Sequence, residues 1–159
     1  MPPKEIKVTL TERLKRTQTV ESFRFLPAHK LEFIPGQFLQ FIFDAASRDN
    51  SSLNKYLSIS SAPDREYIEV TKRLSDSEFS QRLKGLKAGD EVMIRAPLGY
   101  CVFEESYKKI GFLIGGIGIT PVISILGYIM DRGLDTDSWL LYSNRREEEI
   151  AFKQEIDSW

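Results

Sequence analysis

The stretch Gly115-Gly116-Ile117-Gly118-Ile119-Thr120-Pro121 decides how this chain is read. It lies between a short β-branched run, Ile110 to Ile114, and a helical pattern that begins at Pro121. A strand, a glycine turn and a helix account for the three pieces, because glycine lets the backbone turn tightly and approach a ligand closely. Thr120 is expected to cap the helix, and Pro121 suits its first position. Backbone amides and the helix dipole then face whatever lies beside Gly116 and Gly118, which favours a phosphate. A tight strand-to-helix turn with no ligand has the same spacing, so the motif alone leaves both readings open.

Toward the C-terminus, Trp139 to Tyr142 reads as a second strand. Pro121 to Asp131 and Glu147 to Trp159 read as helices, and Lys109 to Ile114 is the first strand. Strand, helix, strand, helix implies a parallel sheet with crossover helices. The run Ile110 to Met130 carries no charge and is flanked by Lys108, Lys109, Asp131 and Arg132. Its length is that of a membrane span. Gly115, Gly116, Gly118, Thr120 and Pro121 at its centre would break such a helix, so no membrane span is expected.

Toward the N-terminus the period changes to two. Ile6, Val8 and Leu10 alternate with polar residues. Val20 to Leu26, Gln37 to Phe43, Tyr56 to Ser61, Tyr67 to Arg73 and Glu91 to Arg95 complete six short strands. Pro35-Gly36 is a turn. Glu78 to Leu86 reads as a helix with Ser77 as its N-cap. Six strands and one helix predict a six-stranded Greek-key antiparallel barrel over residues 1–104, since closure removes exposed edges. Residues 105–159 then hold a partial Rossmann-like parallel sheet, entered through the linker Glu105-Ser106-Tyr107-Lys108-Lys109.

Composition narrows the chemistry. The 159 residues are 42% apolar with a net charge of -1, so a core can form and no basic surplus points to nucleic acid. One cysteine, Cys101, cannot form an internal disulfide or hold an iron–sulfur cluster, and with the single His29 it makes a poor zinc site. Cys101 is expected to be a small half-buried apolar residue, and His29 a surface loop residue. The opening Met1-Pro2-Pro3-Lys4 has no apolar core, which predicts a cytoplasmic protein.

Two further segments carry possible chemistry. Lys55-Tyr56-Leu57-Ser58-Ile59-Ser60-Ser61 puts a cation and hydroxyls on a strand, suited to a polyphosphate and a polar ring or simply to an outward polar face. Ser77-Glu78-Phe79-Ser80 places hydroxyls and amides at a helix start, which is an anion site or an ordinary cap.

In this order the pieces resemble the ferredoxin–NADP reductase family over the whole chain. Lys55-Tyr56-Leu57-Ser58 is similar to its R-x-Y-S/T flavin strand. Lys72-Arg73-Leu74 matches its K-R-L strand ending, and Ser77 to Ser80 its G-x-x-S helix start. Lys87-Ala88-Gly89-Asp90-Glu91-Val92 matches K-P-G-D-x-V, Ala96-Pro97-Leu98-Gly99 matches G-P-x-G, and Pro35-Gly36-Gln37-Phe38 matches another recurrent turn. The G-G-x-G-x-T-P nicotinamide loop is intact, and Tyr142-Ser143-Asn144-Arg145 looks like the end of the second Rossmann strand.

The resemblance implies a flavin-dependent oxidoreductase that takes hydride from NADPH or NADH and passes electrons to an acceptor. FAD is the expected flavin, with FMN as the alternative. Lys55 and the amides of Glu78, Phe79 and Ser80 would hold phosphate, with Ser77 capping beside them. Ser58 would hydrogen-bond near flavin N5, Leu57 would pack on the ring, and Val70, Thr71 and Lys72 would line its edge. Thr120 would sit where nicotinamide meets flavin, with Gly116, Gly118 and Pro121 around the dinucleotide. Ser58 and Thr120 are thus the catalytic candidates.

Arg145, with Arg146, either accommodates a 2′-phosphate or joins Glu147 to Glu149 in a solvated face. The implied partners are NAD(P)H and a redox protein such as an iron–sulfur or haem protein. Two family features differ. The motif arginine is Lys55, a point charge without the bidentate fork, and the tyrosine position is Leu57. Family members also continue through further strands, so the half-sheet here is expected either to be covered by a partner, a second copy or another subunit, or to be a piece of a longer chain. A competing reading is a flavin-binding electron-transfer module or subunit without productive nicotinamide binding, and a third is a membrane-anchored interaction protein.

Overall fold

A computed structural model describes residues 2–159. Among these residues eight strands form two sheets, and three α-helices accompany them. β1 (Lys4–Lys15), β2 (Val20–Pro27), β3 (Phe38–Ile42), β4 (Asn54–Ser58), β5 (Ile68–Arg73) and β6 (Glu91–Leu98) make a six-stranded antiparallel sheet, in the order β4-β3-β6-β1-β2-β5. An antiparallel bridge between Ile59 and Val70 joins the two outer strands and nearly closes the barrel. The long β1 slips register between Leu10 and Glu12, a bulge that bends it across the barrel wall.

The alternation read from sequence is the alternation of the pleat. Val8, Leu10, Phe23, Phe25, Leu39, Phe41, Ile59, Val70 and Ile94 fill the barrel. Helix α1 (Glu78–Gly85) plugs one end with Phe79 and Leu83, both fully buried. Phe79 meets the Phe41 ring edge-on at 5.6 Å and the Phe43 ring at 5.3 Å. Arg13 donates to the carbonyls of Lys84 and Leu86 at the other end of α1, satisfying acceptors the helix leaves open. The Pro35-Gly36 turn packs directly on the segment that leaves the barrel. Gly36 has φ +99°, and a Cβ there would lie 2.4 Å from the Cys101 carbonyl oxygen, so only glycine fits.

The second sheet pairs β7 (Lys109–Gly115) with β8 (Asp137–Ser143) in parallel. Between them run a 3₁₀ turn, Gly116–Ile119, and helix α2 (Thr120–Arg132), closed by Gly133 in the left-handed conformation. One face of this sheet, with Phe112, Ile114, Leu140 and Tyr142, packs on α2 and on Ala151 and Phe152. The other carries Leu113, Trp139 and Leu141, which are 79%, 71% and 69% exposed. No helix among the described residues is long and apolar enough to cross a membrane.

Two expectations fail here. Glu147 to Trp159 is not one helix: a 3₁₀ turn, Glu147–Glu149, is followed by a short helix α3 (Lys153–Ser158). Phe152 breaks it by taking φ +62°, which lets its ring and Ala151 bury against Val20, Ile119 and Val122. Tertiary burial outweighs the local helical pattern. Cys101 is exposed rather than half-buried, because it lies in the loop that leaves the barrel after β6.

Candidate functional site

The near-closure of the barrel makes a seam between β4 and β5. The Ser60 amide donates to the Glu69 carbonyl at 2.7 Å beside the Ile59–Val70 bridge. Strand pairing therefore brings Lys55, Leu57 and Ser58 together with Thr71 and Lys72, and the plug helix adds its N-terminus. Lys55, Leu57, Ser58 and Lys72 are half-buried. Ser77 caps α1 by accepting from the Ser80 amide at 3.4 Å, and its hydroxyl donates to the Ser80 hydroxyl at 3.1 Å. The Ser80 amide is thus spent on the cap, and the first turn offers the amides of Glu78 and Phe79 to an anion.

Lys72 stands 5.9 Å from the centre of the Phe79 ring. Burial first, and the Lys55 ammonium second, hold its pKa below the ordinary lysine value. Two cations that repel each other beside a helix N-terminus are stabilised by a polyanion. A bound phosphate favours charged Lys72, so binding takes up a proton wherever that group is partly neutral. Affinity for a polyphosphate, such as that of FAD in the proposed site, should therefore fall as pH rises toward and through the lowered Lys72 pKa. Titrations between about pH 7 and 10 should show this slope, and Lys72→Arg should flatten it.

Other candidates are placed differently from their expected roles. Val70 and Phe79 point into the barrel core with no exposed surface, so only their backbone can face a ligand. Tyr56 is 64% exposed and packs edge-on against Phe38 at 5.7 Å, on the side of β4 away from Leu57. Thr71 is buried, and its hydroxyl meets those of Ser22 at 2.6 Å and Ser60 at 2.9 Å.

Thr120 does not cap α2. The 3₁₀ turn has already bent the chain, Ile119 occupies the cap position, and the Thr120 hydroxyl donates to the Ile117 carbonyl at 3.2 Å. Pro121 does occupy the first turn of α2.

A cleft of about 380 Å³ opens at the C-terminal ends of β7 and β8, lined by Arg73, Gly116, Ile117, Ser143, Asn144, Arg145 and Glu149. Such a position is where open α/β sheets bind ligands. Gly116 needs φ +50°. Gly118 does not need to be glycine for packing, since a Cβ there would meet only Ile114 at 3.6 Å.

The sequence reading missed three contributors to this cleft. Arg73 ends β5 and reaches from the barrel to Gly116, donating to the Thr19 hydroxyl at 2.9 Å on the way. The Tyr142 hydroxyl donates to the Gly116 carbonyl at 2.9 Å and fixes the turn. The Asn144 side-chain nitrogen and oxygen are buried without a protein partner. Strand alternation could have signalled Arg73, which faces away from Lys72; Tyr142 and Asn144 lie in the strand-end motif Tyr142-Ser143-Asn144-Arg145, but nothing local assigns their side chains a role.

The family model described as "Oxidoreductase FAD-binding domain" matches residues 7–103, most of the chain. The chain belongs to this flavoprotein family. The model described as "Oxidoreductase NAD-binding domain" matches residues 112–159 of the same flavoprotein. Its sequence is 33% identical over 153 residues to a probable dihydroorotate dehydrogenase B (NAD(+)), electron transfer subunit, of Pyrococcus furiosus, covering 96% of this chain and 54% of that protein. It is 25% identical to nitrate reductase [NADH] 1 of Nicotiana tabacum, covering 100% of this chain and 20% of that one. The flavoprotein thus spans about half the length of the archaeal relative.

Its fold is that of the ferredoxin-NADP+ reductase of Plasmodium falciparum, with a TM-score of 0.83 at 18% identity over 97% of this chain and 64% of that one. The cytochrome b5 reductase domain of Ulva prolifera nitrate reductase gives 0.79 at 22% identity over 98% of this chain and 68% of that one. The residues present suit the flavin and the nicotinamide dinucleotide that the two matching family models name. Lys55, Lys72 and the start of α1 match a pyrophosphate, half-buried Leu57 offers an apolar wall, and the space at Gly118 and the unpaired Asn144 amide match a dinucleotide.

Proposed function

We propose that this flavoprotein oxidises a nicotinamide dinucleotide through bound FAD and delivers the electrons to a redox partner. The observation that supports the reading is the junction of the barrel with the glycine turn at the C-terminal ends of β7 and β8. The barrel seam ends at Arg73, and Arg73 lies beside Gly116 of the nicotinamide turn.

In this reading the barrel is residues 1–104 and the nicotinamide unit residues 105–159. Lys55, Lys72 and the Glu78 and Phe79 amides hold the FAD pyrophosphate, with Ser77 and Ser80 shaping the helix start. Leu57 packs on the ring, Ser58 donates toward its reactive edge, and the backbone of Val70 and Thr71 lines it. Gly116 and Gly118 let the dinucleotide approach, Pro121 starts the helix behind it, and buried Thr120 limits water where the two rings meet. Bound FAD supplies the hydride acceptor and releases electrons singly, so no acid–base side chain is required.

Relatives named as electron-transfer and nitrate reductase proteins support a redox protein as the acceptor. The apolar outer face of the β7–β8 sheet supports a protein cover there, from a second copy or another subunit.

Mixing FAD-loaded protein anaerobically with NADPH or NADH tests the reading. Rapid bleaching of the visible flavin band supports it, and a band unchanged over many minutes refutes it for this chain. Arg145 lies in the cleft with Arg73, while Glu149 offers a carboxylate to a ribose hydroxyl. Arg145→Ala should lower the second-order bleaching rate with NADPH by about tenfold and that with NADH by less than about twofold, the loss of one charge-assisted contact.

A further inference from the structure

Between the barrel and the C-terminal unit lies a charged network that the proposed chemistry does not use. Glu69, on β5, is almost wholly buried, with its side chain 4% exposed. One carboxylate oxygen accepts from Arg16 at 3.1 Å and the other from Arg24 at 2.8 Å. Arg16 is the branching point. Its Nε donates to the Ser22 hydroxyl at 2.8 Å, and a second guanidinium nitrogen pairs with Glu155 of α3. Its Cζ lies over the Phe152 ring, 4.3 Å from the ring centre. A single side chain of the barrel thus grips the nicotinamide unit through both a charge and a ring.

Both grips lead to the cleft. Ser22 meets Thr71, and Thr71 meets Ser60, two residues from Ser58, so this arm ends at the proposed flavin wall. Phe152 packs in the same cluster as Ile119 and Val122, which bracket Thr120 and Pro121, so the other arm ends at the glycine turn. Phe152 holds φ +62° to make that contact, a conformation that burial of the ring sustains. Arg16 suits the task because its planar guanidinium can bridge two carboxylates and stack on a ring at once, which a lysine cannot.

We propose that Arg16, anchored by Glu69, is a positioning residue that holds the glycine turn at a fixed distance from the flavin wall. The inference rests on reading the cleft as the meeting place of flavin and nicotinamide. Hydride transfer is steep in distance, and a misplacement of about 1 Å costs up to a hundredfold in rate. Arg24 shares Glu69 but otherwise pairs with Glu12 and lies over the Tyr67 ring, both on the outer surface of the barrel domain, so it serves as the structural control.

The test compares Arg16→Met, Glu155→Gln and Arg24→Met in FAD-loaded protein by amide hydrogen exchange and by anaerobic bleaching. Glu155 is at the rim of the network, so Glu155→Gln keeps the test open if Arg16→Met folds poorly. Arg16→Met should speed exchange at residues 116–122 and 150–156 by about tenfold and leave the barrel strands unchanged. Its limiting bleaching rate should fall by about ten- to a hundredfold while FAD affinity stays within about twofold. Glu155→Gln should do the same more weakly, and Arg24→Met should do neither.

Exchange that rises equally in the barrel and the turn, or a turn that responds as much to Arg24→Met, overturns the proposal. If the parent protein holds FAD but is not bleached, the functional reading fails, and the exchange pattern still decides the role of Arg16.

Discussion

Replacing Lys55 and Lys72 together by glutamate should yield a folded protein that retains no flavin. In the proposed site each lysine pairs with a phosphate held at the start of α1, and each such charge-assisted contact is worth about 1.5–3 kcal/mol. Removing both and adding two negative charges should weaken FAD binding by at least about a thousandfold, since the losses compound with repulsion. Stability of the apoprotein should hold, because one half-buried like-charge pair is exchanged for another and carboxylates near the start of α1 are favoured by its dipole. Equilibrium dialysis against FAD, with thermal melts of the apoprotein, separates the two effects. Binding that survives the double substitution would move the phosphate site elsewhere.

The second large effect is expected at Gly118. Its backbone has ordinary dihedrals, and a Cβ has room beside Ile114. Gly118→Val should therefore leave the melting temperature nearly unchanged and FAD bound. The same side chain would project from an exposed position on the turn into the path of the dinucleotide. Flavin reduction by NAD(P)H should slow by about a hundredfold or more, as expected when reacting groups are displaced by about an ångström. Gly116→Val makes the contrast: its φ of +50° predicts a loss of stability as well as of activity. Stopped-flow bleaching with parallel melts distinguishes a blocked cleft from a strained turn.

These two sites were legible in sequence for different reasons. Lys55, Ser58 and Ser77 lie on short elements whose period or cap is local, so strand alternation and helix-start chemistry put them on β4 and at the start of α1, where the structure has them. The glycine turn was legible as a turn, but its detail was not. Thr120 reads as a cap only if the helix starts abruptly, and the 3₁₀ turn before it depends on the Tyr142 hydroxyl arriving from the next strand.

The C-terminal segment misleads for a related reason. Glu147 to Trp159 has a helical composition, yet burial of Phe152 beside Arg16 breaks it. Polar residues on the strands mislead in the opposite sense. Ser22, Ser60, Glu69 and Thr71 alternate as an outward face should, but the nicotinamide unit covers that face and turns it into a buried hydrogen-bonded layer. No local pattern announces a covering domain.

The central claim is that the barrel seam and the start of α1 bind FAD. Protein reconstituted with excess FAD and dialysed exhaustively tests it most directly through its visible absorbance and the dichroism of the bound ring. The account predicts one equivalent of flavin with an induced dichroic band, both lost in the Lys55 and Lys72 double variant. A colourless parent protein, or flavin retained equally by that variant, would contradict it.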